Sequence, residues 1–102
     1  MSLIFVYITN PTRTEARKIS THLLERKLIA CANIFQVESI YPWKGRIRRG
    51  KEFVVIGKTE SAKYAKIVKE IEKIHPYDIP CIVKIPTRAN DKFSKWVRSC
   101  VK

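Results

Sequence analysis

Leu28-Ile-Ala-Cys-Ala-Asn-Ile-Phe-Gln-Val-Glu-Ser-Ile-Tyr41 runs for fourteen residues without a glycine or a proline. It is rich in Ile, Ala, Phe and Val, and it reads as one long strand. Fourteen residues at ~3.3 Å each reach ~46 Å, more than twice a usual strand. Pro42-Trp-Lys-Gly45 turns the chain, and Arg46 to Lys58 returns as a second long strand. A break is expected near Gly50, and the core of the returning strand is Phe53-Val-Val-Ile56. A domain this small cannot cover such a hairpin with its own sheet. The outer halves would carry unpaired edges, an aggregation hazard unless something pairs with them. A second copy of the same hairpin answers that need, so a closed homo-oligomer is expected.

Outward from the hairpin, the pattern is regular. Leu3-Ile-Phe-Val-Tyr-Ile8 is apolar on both faces and predicts a central strand. Thr12 and Glu15 have capping-box spacing, so a helix starts at about Arg13. Ala16, Ile19, Leu23 and Leu24 fall on one face, and the helix ends near Lys27. Ser61 to His75 predicts a second helix with Tyr64, Ile67, Val68, Ile71 and Ile74 on one side, stopped by Pro76. Pro80 to Ile85 is a short strand. Asn90 caps a last helix with Phe93, Trp96, Val97, Cys100 and Val101 on its packing stripe. The order β-α-β-β-α-β plus a terminal helix is a split βαβ pattern: an α+β fold, ferredoxin-like in outline, with an antiparallel sheet and two helices on one face. The 102 residues are expected to make one domain, residues 1–102.

Composition narrows the function classes. Apolar residues make up 45% and charged residues 29%, ordinary for a folded soluble chain. The longest apolar stretches fall far short of the ~20 residues of a membrane span. Three cysteines, Cys31, Cys81 and Cys100, lie far apart and cannot all pair, which suits a reducing, cytoplasmic setting. No signal peptide is read in the chain, and Met1-Ser2-Leu3 is compatible with an expression scar that replaces a natural start. The outlying number is charge: 21 Lys and Arg against 9 Asp and Glu, a net +12.

No sequence motif for catalysis is present, so no enzyme activity is expected. Gly45, Gly50 and Gly57 fit no phosphate loop, and there is neither a nucleophile elbow nor an H-E-x-x-H. A Cys31–His75 dyad has no support from spacing, and a small buried cysteine with a helix-end histidine is the plainer reading. The candidate metal ligands are Cys31, Cys81, Cys100, His22, His75, Asp78 and Glu52. None has zinc-finger spacing, but a soft site of scattered thiolate and imidazole, which copper favours, stays open. Cys100 reads as core, His22 as a partly buried surface residue and His75 as a helix-end cap. His75-Pro-Tyr-Asp-Ile-Pro80 holds an imidazole, a phenol and a carboxylate between two prolines, so it reads either as a cleft wall or as a rigid connection. Lys44, Arg46, Arg48, Arg49 and Lys51 crowd the hairpin tip and make nucleic acid a conceivable partner. Tyr41 and Trp43 stand alone there, without a stacking platform. Lys63, Lys66, Lys69 and Lys73 alternate with Glu60, Glu70 and Glu72 and read as a solvated helix face.

Glu25-Arg-Lys-Leu-Ile-Ala-Cys-Ala-Asn33, Tyr41-Pro-Trp-Lys-Gly45, Lys58-Thr59 and His75-Pro-Tyr-Asp-Ile-Pro80, with Trp96 in the last helix, resemble the CutA divalent-cation tolerance family over nearly the whole chain. The resemblance implies a homotrimer whose long hairpins pair across subunits, and a role in tolerance of copper and other divalent metals without catalysis. It implies an inter-subunit cleft lined by Cys31, Trp43, Lys58, His75 and Tyr77. Cys31 would be the copper thiol, His75 its imidazole partner, and Glu52 stands at a commonly acidic position. Trp43, Lys58 and Tyr77 would contact a bound cofactor or ligand. The family is also similar in architecture to the PII signalling proteins. A module binding a small anion or a partner protein between subunits is therefore the alternative. A third reading is nucleic-acid binding through the basic tips. The tip is commonly acidic or mixed in the family and is basic here. Cys81 and Cys100 match no family position.

Overall fold

The computed structural model describes residues 2–102, so Met1 of the N-terminal tripeptide lies outside the described residues. Eight elements follow in order. They are β1 (Leu3–Asn10), α1 (Arg13–Glu25), β2 (Cys31–Trp43), β3 (Arg46–Glu60), a 3-10 turn (Ser61–Lys63), α2 (Tyr64–Ile74), β4 (Ile82–Pro86) and α3 (Asp91–Cys100). The strands form one antiparallel sheet in the order β2-β3-β1-β4. This is the expected ferredoxin-like α+β arrangement, with β1 and β2 separated by β3.

The hairpin is as long as its composition requires. Pairing runs without interruption from Cys31 opposite Lys58 to Trp43 opposite Arg46. The expected break at Gly50 is absent. Gly50 pairs squarely with Ser39, and its missing side chain leaves room for the Tyr41 hydroxyl above it. The turn is shorter than Pro42–Gly45: only Lys44 (φ 48) and Gly45 (φ 75) lie outside the strands. Two left-handed residues in a row make the type I′ turn that matches strand twist. The hairpin gives the chain its longest dimension, 46 Å.

Paired residues on neighbouring strands share a face, so register assigns the two sides of the sheet. One face carries Ile4, Val6, Ile8 and Val55 against Ala16, Ile19 and Leu23 of α1 and Ile67 and Ile71 of α2. Each buried Val, Ile or Leu among them contributes roughly 1.5–3 kcal/mol relative to exposure. α1 begins where the capping box places it, with the Thr12 hydroxyl accepting from Glu15 N–H at 3.1 Å. It ends at Glu25, because Lys27 turns left-handed (φ 56). Leu28 to Ala30, read above as strand, are instead a buried connection, and β2 starts at Cys31. The second helix starts late, since Ser61–Lys63 form a 3-10 turn first. Glu70 joins α1 to α2 through His22 (3.0 Å) and Arg26 (3.1 Å).

The opposite face is covered only at one end. There α3 brings Val97 and Val101 onto Leu3 and Ala30, with Phe93 and Cys100 packed alongside. Asn90 precedes α3 but makes no side-chain capping bond. Glu60 is not on the solvated helix face expected of it: it ends β3 and is 8% exposed.

Candidate functional site

The His75–Pro80 loop leaves α2 at its C-terminus and passes across the end of β1. His75 is the residue that stops the helix, with its N–H still bonded to the Ile71 carbonyl at 2.8 Å. Its ring faces the Thr9 carbonyl, with Nε2 at 2.8 Å. A carbonyl only accepts, so Nε2 carries the proton. Nδ1 is then the acceptor for the Tyr77 N–H at 3.1 Å. The imidazole is therefore neutral in this arrangement, and both nitrogens are occupied by backbone.

This latch places Tyr77. Its ring lies 4.9 Å from that of His75, and its hydroxyl donates to Glu52 Oε2 at 2.9 Å. The Ser39 hydroxyl donates to the other oxygen, Oε1, at 2.6 Å. Burial first, and then the Glu52 carboxylate, push the Tyr77 phenol above its ordinary value, so it stays a donor. The chain of contacts thus ties β1, the loop, β3 and β2 together through side chains.

Between the loop and the hairpin lies a cleft of about 810 Å³, in the size range of small-molecule sites. Tyr41, Trp43, Arg48, Glu52, Tyr77 and Ile79 line it. Tyr41, Trp43, Arg48 and Glu52 share one face of the hairpin by register, because Tyr41 pairs with Arg48 and Trp43 with Arg46. Arg48 and Lys51, noted in the sequence only as tip charge, stand in its wall, as does Asp78.

Cys31 and Lys58 lie elsewhere. They oppose each other at the far end of the hairpin, and Lys58 also pairs with Phe5. The Lys58 ammonium sits 5.6 Å from the ring centres of both Phe5 and Phe93. Burial raises the Cys31 thiol above its ordinary value, with Lys58 pulling it down and Cys100 pushing it further up. From Phe5 to Thr9, which His75 touches, is four strand residues, ~13 Å. From Lys58 to Glu52 is six, ~20 Å. One chain therefore gathers Trp43, Glu52 and Tyr77 at the cleft with His75 behind them, and it leaves Cys31 and Lys58 apart. Cys31, His75 and Glu52 form no joint metal site within it. No group of three or more His, Cys, Asp or Glu among the described residues is placed to hold a metal ion.

Ser39 and Thr9 are parts of the site that the sequence did not single out, and Tyr41, read there as an isolated aromatic at the turn, lines the cleft. The alternation Ser39, Tyr41, Trp43 was the available signal. With a two-residue turn it puts all three on the face of Arg48 and Glu52. Thr9 contributes only its carbonyl, for which side-chain chemistry gives no clue.

Known proteins repeat this arrangement of elements. A family model described as CutA1 divalent ion tolerance protein matches residues 4–100. The divalent-cation tolerance protein CutA of Thermococcus kodakarensis is 44% identical over 98 residues, covering 95% of this chain and 94% of that protein. A solved structure from Archaeoglobus fulgidus, described as a periplasmic divalent cation tolerance protein, superposes with a TM-score of 0.95 at 42% identity, covering 98% of this chain and 99% of the other. CutA1 of Oryza sativa has the same TM-score, 0.95, at 26% identity, covering 100% of this chain and 95% of that one. With matching residues from the first strand to the last helix and the same fold throughout, this chain belongs to the CutA1 divalent ion tolerance family.

Proposed function

We propose that this protein acts as a homotrimer in tolerance of divalent metal, copper in particular, with no catalytic step of its own. The observation that carries the trimer is the uncovered part of the sheet. Beyond the reach of α3, that face presents Phe35 (40% exposed), Val83 (45%) and Ile85 (38%), and Trp96 (46%) stands beside it on α3. The whole length of β2 is a free edge. A second copy covers both features at once, as a lone subunit cannot.

Cys31 shares that face, since it pairs with Lys58, Lys58 with Phe5, and Phe5 with Ile85. A soft-metal site of Cys31, His75 and Glu52 therefore has to be assembled across a subunit boundary. A thiolate and an imidazole suit copper there, at the cost of one of the His75 backbone bonds. The three free thiols fit a cytoplasmic location.

Light scattering should give the mass of three chains, and Val83→Lys with Ile85→Lys should give monomers. Titration with Cu(I) and Cu(II) should then show weaker binding in Cys31→Ser, His75→Ala and Glu52→Gln than in wild type. A monomeric wild type refutes the assembly, and equal weak binding by all four proteins refutes the copper site.

A second reading is a PII-like ligand site for a small organic anion. Arg48 and Lys51 favour it: they line the cleft, and neither has a carboxylate partner among the described residues. Trp43 and Tyr77 would contact the ligand, and Lys58 could join only from a neighbouring subunit. Thermal shift with phosphorylated metabolites tests it, and a flat response throughout would remove it.

A further inference from the structure

At the opposite end of the sheet from the cleft, a second cavity of about 260 Å³ opens between the end of β3, the β4–α3 connection and α3. Glu60, Arg88, Ser94 and Arg98 contribute to its wall. Glu60 is only 8% exposed, and a carboxylate so buried ordinarily has donors on both oxygens. Among the described residues its Oε1 accepts no hydrogen bond. The Arg98 Nε comes to 3.5 Å, an ionic contact from a side chain that is 45% exposed and has room to turn aside. Arg88 is exposed on the same wall and has no carboxylate within ion-pair distance among the described residues.

Among the described residues, the cavity therefore holds an acid short of a hydrogen-bond donor next to a guanidinium without an acid. A single small molecule satisfies both if it carries a cationic N–H group and a carboxylate close together. Volume sets the upper size. At ~30 Å³ per water the space equals about nine waters, enough for a small amino acid and cramped for a nucleotide. We propose that this cavity is a binding site for a small α-amino acid, its ammonium on Glu60 and its carboxylate on Arg88 and Arg98. Guanidinium groups suit this task because their planar donors match a carboxylate. Turning Arg98 from Glu60 toward the ligand exchanges a contact without a hydrogen bond for two with one. The site is separate from the hairpin cleft and from any metal, and it stands whether or not copper is bound.

Isothermal titration of the assembled wild-type protein with the small amino acids, one at a time, tests the proposal. Acetate and methylamine serve as the two halves. At least one amino acid should bind, and acetate and methylamine should each bind at least tenfold more weakly. Arg88→Ala and Glu60→Gln should each lower the affinity tenfold or more. Lys66→Ala, which removes an equal charge from the outer side of α2, should leave it unchanged. Arg88 is exposed, so its variant keeps the test readable even if Glu60→Gln disturbs folding. Binding by no amino acid, equal binding of acetate, or unaltered affinity in Arg88→Ala would overturn the proposal.

Discussion

Gly57 lies against Ile29 in the chain that follows α1, and Gly57→Ala measures how tightly they fit. The residue is buried in β3, between Val6 and Ala32, with an ordinary strand backbone. An added Cβ would lie 3.0 Å from Cγ2 of Ile29 and 3.5 Å from its Cδ1. Ile29 is 1% exposed and cannot move outward. Overpacking of this kind costs about 1–3 kcal/mol, while alanine restrains the unfolded chain and returns about 0.4–1 kcal/mol. The expected net loss is about 1–2 kcal/mol, or roughly 5–15 °C in Tm for a chain of this size. Calorimetry at matched protein concentration reads it. Ile29→Ala removes the opposing methyl groups and alone costs about 2–5 kcal/mol. The double variant should lose less than the sum of the two by about 1 kcal/mol, because the clash has been removed. Additive losses, or a Gly57→Ala protein as stable as wild type, would show that Ile29 does not set the limit.

Other expectations follow from the site and the helix pair. Tyr77→Phe deletes one donor to Glu52 and should cost about 1 kcal/mol in urea denaturation, since the bond is to a charged group but half exposed. The freed carboxylate should also bind Mn²⁺ at the cleft more strongly, and unchanged Mn²⁺ affinity would mean that Tyr77 does not occupy Glu52. Glu70 is held below its ordinary 4.5, by the His22 hydrogen bond above all and by Lys73 and Arg26. A lowered carboxylate adds stability that is complete above 4.5 and lost as pH falls through the lowered value. Thermal melts of Glu70→Gln should therefore lose less stability than wild type on acidification, and parallel curves would contradict this. Cys31 should react with iodoacetamide at pH 8 more slowly than a free cysteine, because its raised thiol is protonated there. Mass mapping of the modified protein measures it, and a rate above that of free cysteine refutes the raised value.

The sequence was most legible where one physical rule acted alone. Thr12 and Glu15 located the start of α1, and the apolar stripe of α2 named Ile67 and Ile71 as core. It was less legible where two rules competed. Gly50 looked like a break because glycine weakens strands, yet it pairs with Ser39 inside an unbroken ladder that continues on both sides of it. Leu28–Ala30 looked like strand because they are apolar, yet their apolarity comes from burial beneath α1 and α3. At the site, residue types pointed to Glu52, His75 and Tyr77 but not to their arrangement. His75 read as a helix-end cap from its position and as a copper ligand from the family resemblance, whereas both its nitrogens are consumed in shaping a loop. Separation is the other hidden quantity. Cys31 and His75 were both candidates by chemistry, and only the strand register puts ~13 Å or more between them.

The uninterrupted hairpin also limits how this molecule can change its length. Thirteen pairs lead without a bulge into a two-residue turn. A single inserted residue in either strand would turn every side chain beyond it to the other face. Trp43, Arg48 and Glu52 could not then all face Tyr77. One added pair keeps the ladder but reverses the tip relative to the base. Only lengthening by two residues in each strand preserves both register and facing. Viable hairpin lengths are therefore quantised in steps of four residues, about 7 Å of reach at a time.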